Sequence, residues 1–261
     1  MKAIIIAAGM GQRLRPYTED RPKCMVEIKG KSLLERQVES YRAIGIEEII
    51  VIRGYRGRQI QIPGLTYVDN HDFRNNNILE SLFCARDHLV GDVIISYGDI
   101  TFHPELVKGL AATQAPISLA VDLDWAEIYE GRDQHPVEQA ELCEVIGIPT
   151  DPMFKNNRVY RVSEVGKQVT PDRAHGEFIG LCKIHAPALA RLCALYEHVK
   201  LEGLDKPYIN APSLRKAYLC DLFNDAIRRD EMIQPFFLRG GLWREIDTVQ
   251  DYERAQESVT W

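Results

Sequence analysis

Residues 2–23 read KAIIIAAGMGQRLRPYTEDRPK. The run 2–7, KAIIIA, is short, β-branched and soon followed by glycine, which predicts a strand buried on both faces. Gly9 and Gly11 follow it. Glycines there let backbone N–H groups approach an anion closely. Arg13 lies two residues past the second glycine, and Lys23 ends Arg21-Pro22-Lys23, where proline stiffens the loop. Backbone donors followed by fixed cations suit a triphosphate. The dinucleotide fingerprint G-x-G-x-x-G is broken, because Leu14 stands where its third glycine belongs and the strand EIIVI runs into Arg53 rather than an acid. Gly30-Lys31-Ser32 looks like the end of a P-loop, but Met25 holds the position of the upstream glycine.

Outward from this turn, strands and helices alternate. SLLERQVESYRAIG (32–45) is a helix: Ser32 and Glu35 make a capping box, Leu34, Val38 and Tyr41 share a face, and Gly45 stops it. EEIIVIRGY (47–55), DVIISYGD (92–99) and SLAVD (118–122) are hydrophobic strands, separated by helices at 78–89 and 104–113. The fold class is α/β, with a Rossmann-like, mostly parallel central sheet flanked by helices. Ligands of such sheets sit at the carboxyl ends of the strands. That singles out AAGMG, RGY, YGD and VDLDW. After about residue 125 the pattern changes. Residues 126–176 are polar, with one strand-like stretch, RVYRVSEV. EFIGLCKI (177–184) then resumes as a strand. Helices are expected at 187–203 and 213–230, and a hairpin around Gly240-Gly241. Thr248 and Asp251 should cap a last helix. A single domain over 1–261, with an insertion at about 120–185, is the economical reading.

The chain has 261 residues, 45% hydrophobic and 27% charged, enough for a full core. Its net charge of −6 disfavours a sequence-independent nucleic-acid partner. The six cysteines form no C-x-x-C, which excludes zinc knuckles and thioredoxin motifs. With no signal peptide, sequon, membrane span or lipidation motif, a cytoplasmic protein with reduced thiols is expected. Homo-oligomerisation stays open.

The segment AAGMGQRLRPYTEDRPK resembles the signature of the nucleotidyltransferases that activate sugar phosphates and phosphocholine, A-A-G-x-G-x-R-L-x-P-x-T-x-x-x-P-K, and meets every specified position. The resemblance implies that Gly9 and Gly11 wrap a nucleotide, with Ala7 and Ala8 near the base. It also implies that Arg13 neutralises the outer phosphates and that Lys23 reaches the reacting ones. Asp99 ends a buried strand, with Gly98 before it, and Asp247 lies between a strand and a helix. YGD and EIDTVQDYERA resemble the two metal segments of this family, which implies Mg²⁺ on Asp99 and Asp247. The reaction implied is attack of an acceptor oxygen on the α-phosphorus of a nucleoside triphosphate, with loss of pyrophosphate. The acceptor oxygen is already ionised, so no general base is required, and no nucleophile motif is visible.

Asn75-Asn76-Asn77 and Ser81 resemble a base-side segment of cytidylyltransferases, where amide and hydroxyl groups can meet a cytosine edge. This places Asn76, Asn77 and Ser81 at the nucleotide and favours CTP. VDLDWAEIYEGR and GEFIGL resemble the cytidylyltransferase domains of phosphonate biosynthesis. By that resemblance Asp122, Trp125, Arg132 and Glu177 hold a small acceptor: a phosphonate or phospho-alcohol of the 2-aminoethylphosphonate, 2-hydroxyethylphosphonate or phosphocholine type. The 120–185 insertion then becomes the acceptor-binding part. A sugar-1-phosphate nucleotidyltransferase and a non-catalytic nucleotide-sensing subunit are the competing readings.

Overall fold

The computed structural model describes residues 1–149 and 158–261. In chain order the elements are β1 (Lys2–Ala7), β2 (Glu27–Ile28), β3 (Lys31–Ser32), α1 (Leu33–Arg42), β4 (Ile49–Arg53), β5 (Thr66–Asp69), α2 (Ile78–Cys84), β6 (Val93–Tyr97), β7 (Ile100–Phe102), α3 (Pro104–Ala111), β8 (Ile117–Asp122), α4 (Trp125–Tyr129), β9 (Leu142–Pro149), β10 (Arg158–Val165), β11 (Gly176–Ile184), α5 (Ala186–Glu202), α6 (Leu219–Arg228), β12 (Ile233–Leu238), β13 (Trp243–Glu245) and α7 (Val249–Ser258).

Most strands join one nine-stranded sheet, in the order β10-β9-β11-β6-β1-β4-β5, with β8 on β11 and β12 on β8. β1 pairs in parallel with β4 and β6, and β4 with β5. This is the parallel half that the apolar runs predict, and its carboxyl ends point the β1 turn and Asp99 the same way. The other side of the sheet departs from the parallel pattern: β11 runs antiparallel to β6, β8 and β9, and β9 antiparallel to β10.

Alternate residues of β1 and β4 face opposite sides. Ile4, Ile6, Ile50 and Ile52 pack in one cluster with Leu79, Leu189 and Phe223. Ala3, Ile5, Ile49 and Val51 pack in the other with Leu34, Tyr41 and Leu106. Both faces are covered, so these strands carry no polar alternation. The capping box at α1 forms as read, with Ser32 Oγ accepting from Glu35 N–H and Glu35 accepting from Ser32 N–H.

Three expectations are corrected. The helix at 78–89 ends at Cys84 and continues as a short 3-10 turn, Arg86–His88. The helix expected at 213–230 begins only at Leu219, after the 3-10 turn Leu214–Lys216. The segments around Gly240-Gly241 form no hairpin. Both glycines adopt positive φ, so the turn signal was sound, but β12 pairs in parallel with β8 and β13 pairs antiparallel with β7. Part of the expected insertion, 150–157, lies outside the described residues.

Gly180 sits where β11 passes Tyr97. Its φ is +74°, and a Cβ there would lie 2.4 Å from the Tyr97 ring. Both the backbone angle and the space exclude a side chain. Gly180→Ala is therefore expected to lower stability by about 1–3 kcal/mol. Urea denaturation measures it, and an unshifted midpoint would contradict this packing.

Candidate active site

The turn after β1 is shaped by Gly11, at φ +58°, where a Cβ would lie 3.0 Å from Lys23 Cβ. Thr18 is fully buried and donates its hydroxyl to Gly11 O at 2.7 Å. This bond folds the arginine- and proline-rich segment back, so that Lys23 returns to the side of the turn.

Asp99 is fixed from α1. Gln37 donates its amide to Tyr97 O and Ile100 O at 2.8 and 2.6 Å and accepts from the Ser96 hydroxyl. β7 begins immediately after Asp99 and pairs with β13, with Glu245 opposite Ile100. Ile246 N–H then donates to Asp99 O at 2.9 Å. That pairing carries Asp247 to Asp99 across most of the sequence. Asp247 is held from behind by the capping box of α7, where Asp251 Oδ2 accepts from the N–H groups of Asp247 and Thr248.

The two carboxylates meet at one ammonium. Lys23 Nζ donates to Asp99 Oδ2 at 2.7 Å and to Asp247 Oδ1 at 2.6 Å. Arg13 Nη2 lies 2.7 Å from Asp247 Oδ2. Burial works against the Lys23 charge, but the two aspartates outweigh it and its pKa is raised. Burial likewise raises Asp247, while Lys23 and Arg13 bring it below the usual carboxylate range. His135 Nδ1 stands 3.4 Å from both Glu245 Oε2 and Asp247 Oδ2. Burial and the Arg132 charge push its pKa down to about 4, so the ring is neutral.

A cavity of about 430 Å³ opens over these groups. Gly9, Gly11 and Arg13 line its entrance side together with Lys23, Asp99 and Asp247. Tyr129, Glu141, Lys167, Glu177 and Tyr218 line its remaining wall. Beside it lies a hollow of about 120 Å³ shared by Ala7, Ala8, Gly98, Asn76, Asn77 and Ser81. Within that group the side chain of Asn77 is already engaged by the fold, capping α2 through Ile78 N–H and donating to Lys216 O.

Of the four residues expected at the acceptor, only Glu177 lines the cavity. Arg132 is buried with its guanidinium committed to Asp251, at 2.7 and 2.9 Å, and to Glu245, at 2.7 Å. It braces the base of the Asp247 loop instead of reaching outward. Asp122 accepts from the Trp243 indole N–H at 2.6 Å and from Asp124 N–H. Both Asp122 and Arg132 border a separate cavity. Trp125 packs on Tyr129 and a small cluster that includes Ala140, Leu142 and Val169. Several residues lining the cavity carry no motif and were missed: His135, Glu141, Lys167 and Trp243. Each is an isolated polar or aromatic residue whose role depends on tertiary placement.

Glu177 Oε1 accepts from the Tyr129 hydroxyl at 2.7 Å, while the buried Oε2 has no hydrogen-bond partner among the described residues. Burial first, and the nearby Glu245 charge second, push its pKa from 4.5 up to about 8. An acid raised in this way binds a proton in the folded state that the unfolded chain has released. The resulting cost is absent below about pH 4.5 and grows until about pH 8. Glu177→Gln should therefore raise the melting temperature more at pH 8 than at pH 5. Thermal melts across that range measure it; an equal gain at both would refute the buried, protonated carboxyl.

The model of the MobA-like NTP transferase domain matches residues 3–259. The chain is 31% identical to the CTP:phosphoglutamine cytidylyltransferase of Campylobacter jejuni, over 97% of this chain and 98% of that protein. It is 38% identical to the choline-phosphate cytidylyltransferase of Streptococcus pneumoniae, over 39% of this chain and 46% of that one. The inositol-1-phosphate CTP transferase from T. maritima shares the fold, with a TM-score of 0.71 at 22% identity over 100% of this chain and 98% of that chain. With nearly its whole length matched, this chain belongs to the MobA-like NTP transferase domain family.

Proposed function

We propose that the protein is a cytidylyltransferase that moves CMP from CTP to a small phosphorylated or phosphonate acceptor and releases pyrophosphate. The observation that carries the reading is the Lys23 ammonium held between Asp99 and Asp247, with Arg13 beside it, at the mouth of a glycine-lined cavity. The names of the C. jejuni and S. pneumoniae relatives support CTP as donor and a phosphorylated, nitrogen-bearing acceptor.

The entrance turn binds the triphosphate through backbone N–H groups freed by Gly9 and Gly11. Arg13 neutralises its outer phosphates, whose charge grows as pyrophosphate departs. Lys23 meets the reacting phosphates, releasing one or both aspartates as it does so. Fixed cations aimed at developing charge stabilise the transition state more than the ground state. The acceptor oxygen attacks already ionised, and the neutral His135 is not needed to activate it. Asp99 and Asp247 fit Mg²⁺: both present carboxylate oxygens to one point where a cation, the Lys23 ammonium, already sits. Bound there, Mg²⁺ would supply further neutralisation of the triphosphate. The segment 120–185 contributes Tyr129, Glu141, Lys167 and Glu177 to the remaining wall, which supports its assignment to the acceptor. The unpartnered Glu177 Oε2 suits a polar group of that acceptor. A cytoplasmic setting agrees with six unbonded thiols, five of them buried.

The test is a matrix of four nucleoside triphosphates against phosphorylated glutamine, phosphocholine, 2-aminoethylphosphonate and hexose 1-phosphates, read by pyrophosphate release. Turnover with CTP and a non-sugar acceptor is expected; hexose 1-phosphate turnover with UTP alone would reject the reading. Lys23→Ala should lower kcat/KM by about 10²–10³-fold. A folded Lys23→Ala protein with an undiminished rate would remove the central assignment.

A further inference from the structure

Asn70 follows β5, is 2% exposed and has no place in the motif. Its amide orientation is dictated by the backbone: Asp72 N–H can only donate, so the atom facing it at 3.0 Å is Asn70 Oδ1. Asn76 Nδ2 donates to the same oxygen at 3.0 Å. Asn70 Nδ2 must then point the other way, where it donates to Asn76 Oδ1 at 2.9 Å and to Ser81 Oγ at 2.8 Å. Ser81 is therefore an acceptor towards Asn70. Its hydroxyl proton has no acceptor among the described residues, and Ser81 and Asn76 both line the small hollow beside the entrance turn.

We infer that Asn70 is a positioning residue that selects cytosine over uracil by fixing the direction of the Ser81 hydroxyl. Resting on the proposed CTP reaction, the chain of polarity runs from Asp72 N–H through Asn70 to Ser81, and leaves Ser81 with a proton to give. At the Watson–Crick edge, N3 of cytosine accepts a hydrogen bond and N3 of uracil donates one. A hydroxyl whose proton has no other acceptor gives that proton to the first; facing the second it can only accept through its remaining lone pair and its proton stays unpaired. A buried donor left without an acceptor is a strong discriminator, because its proton loses water and gains no partner. Asn76 is held by the same amide, so the two polar groups of the hollow share one support.

Asn70→Asp is the discriminating variant. A carboxylate accepts from Asp72 N–H and Asn76 Nδ2 as before but cannot donate to Ser81, whose hydroxyl then turns inward to donate to it. The ratio of kcat/KM for CTP to that for UTP should fall by about tenfold or more. Ser81→Ala should lower the same ratio and covers the case in which Asn70→Asp fails to fold, judged by circular dichroism. An unchanged ratio in a folded Asn70→Asp, or in Ser81→Ala, overturns the inference while CTP turnover by the wild type stands. Absence of CTP turnover by the wild type overturns the proposed reaction itself, and this inference with it. A merely structural Asn70 would slow both nucleotides equally and leave the ratio where it was.

Discussion

One ammonium shared by two carboxylates organises this molecule. Lys23, Asp99 and Asp247 are nearly buried or half-buried, and each would be costly there alone. Together, two negative charges and the positive charges of Lys23 and Arg13 balance. The balance requires three segments from the beginning, middle and end of the chain to arrive at one place. Much of the architecture can be understood as the means of that arrival. Thr18 turns the first segment back, Gln37 seats the second, and the β7–β13 pairing delivers the third.

A second layer of charge stands behind the first. Arg132 joins Asp251 to Glu245, and Asp251 in turn receives the N–H groups of Asp247 and Thr248. These contacts are buried and geometrically specific, so they fix the direction of the Asp247 carboxylate as well as its position. The region after residue 125 therefore has two duties. It lines part of the cavity through Glu141, Lys167 and Glu177, and it steadies the aspartate loop through Arg132.

What the sequence made legible was local. The β1 strand, its glycine turn, the capping boxes at Ser32 and Thr248, and the location of Asp99 at a strand end all follow from spacing within a few residues. The meeting of Asp99 with Asp247 was legible only as a shared side of the sheet; the pairing that produces it joins three-residue strands with no sequence signal. Asp122, Trp125 and Arg132 show the opposite limit. Their residue types suit ligand binding, yet Trp243, Tyr129 and Asp251 engage them; Tyr129 lies one helical turn from Trp125, but Trp243 and Asp251 lie 121 and 119 residues from Asp122 and Arg132, distances that no pattern encodes. Asn70 was invisible for a related reason, since an asparagine after a strand reads as an ordinary turn. The hairpin expected at Gly240-Gly241 failed because a turn signal specifies a bend and not the partner strand.

The contribution of Asp247 from between β13 and α7, far along the chain from Lys23, has a bearing on how the protein is made. A ribosome that has completed the sheet strands up to β12 has produced Lys23, Arg13 and Asp99 but not their fourth member. Until β13 docks on β7, two cations face a single acid, and the entrance turn lacks its counterweight. Synthesis thus leaves this corner unfinished until the β13–α7 segment emerges, because Lys23 waits 224 residues for its Asp247 partner.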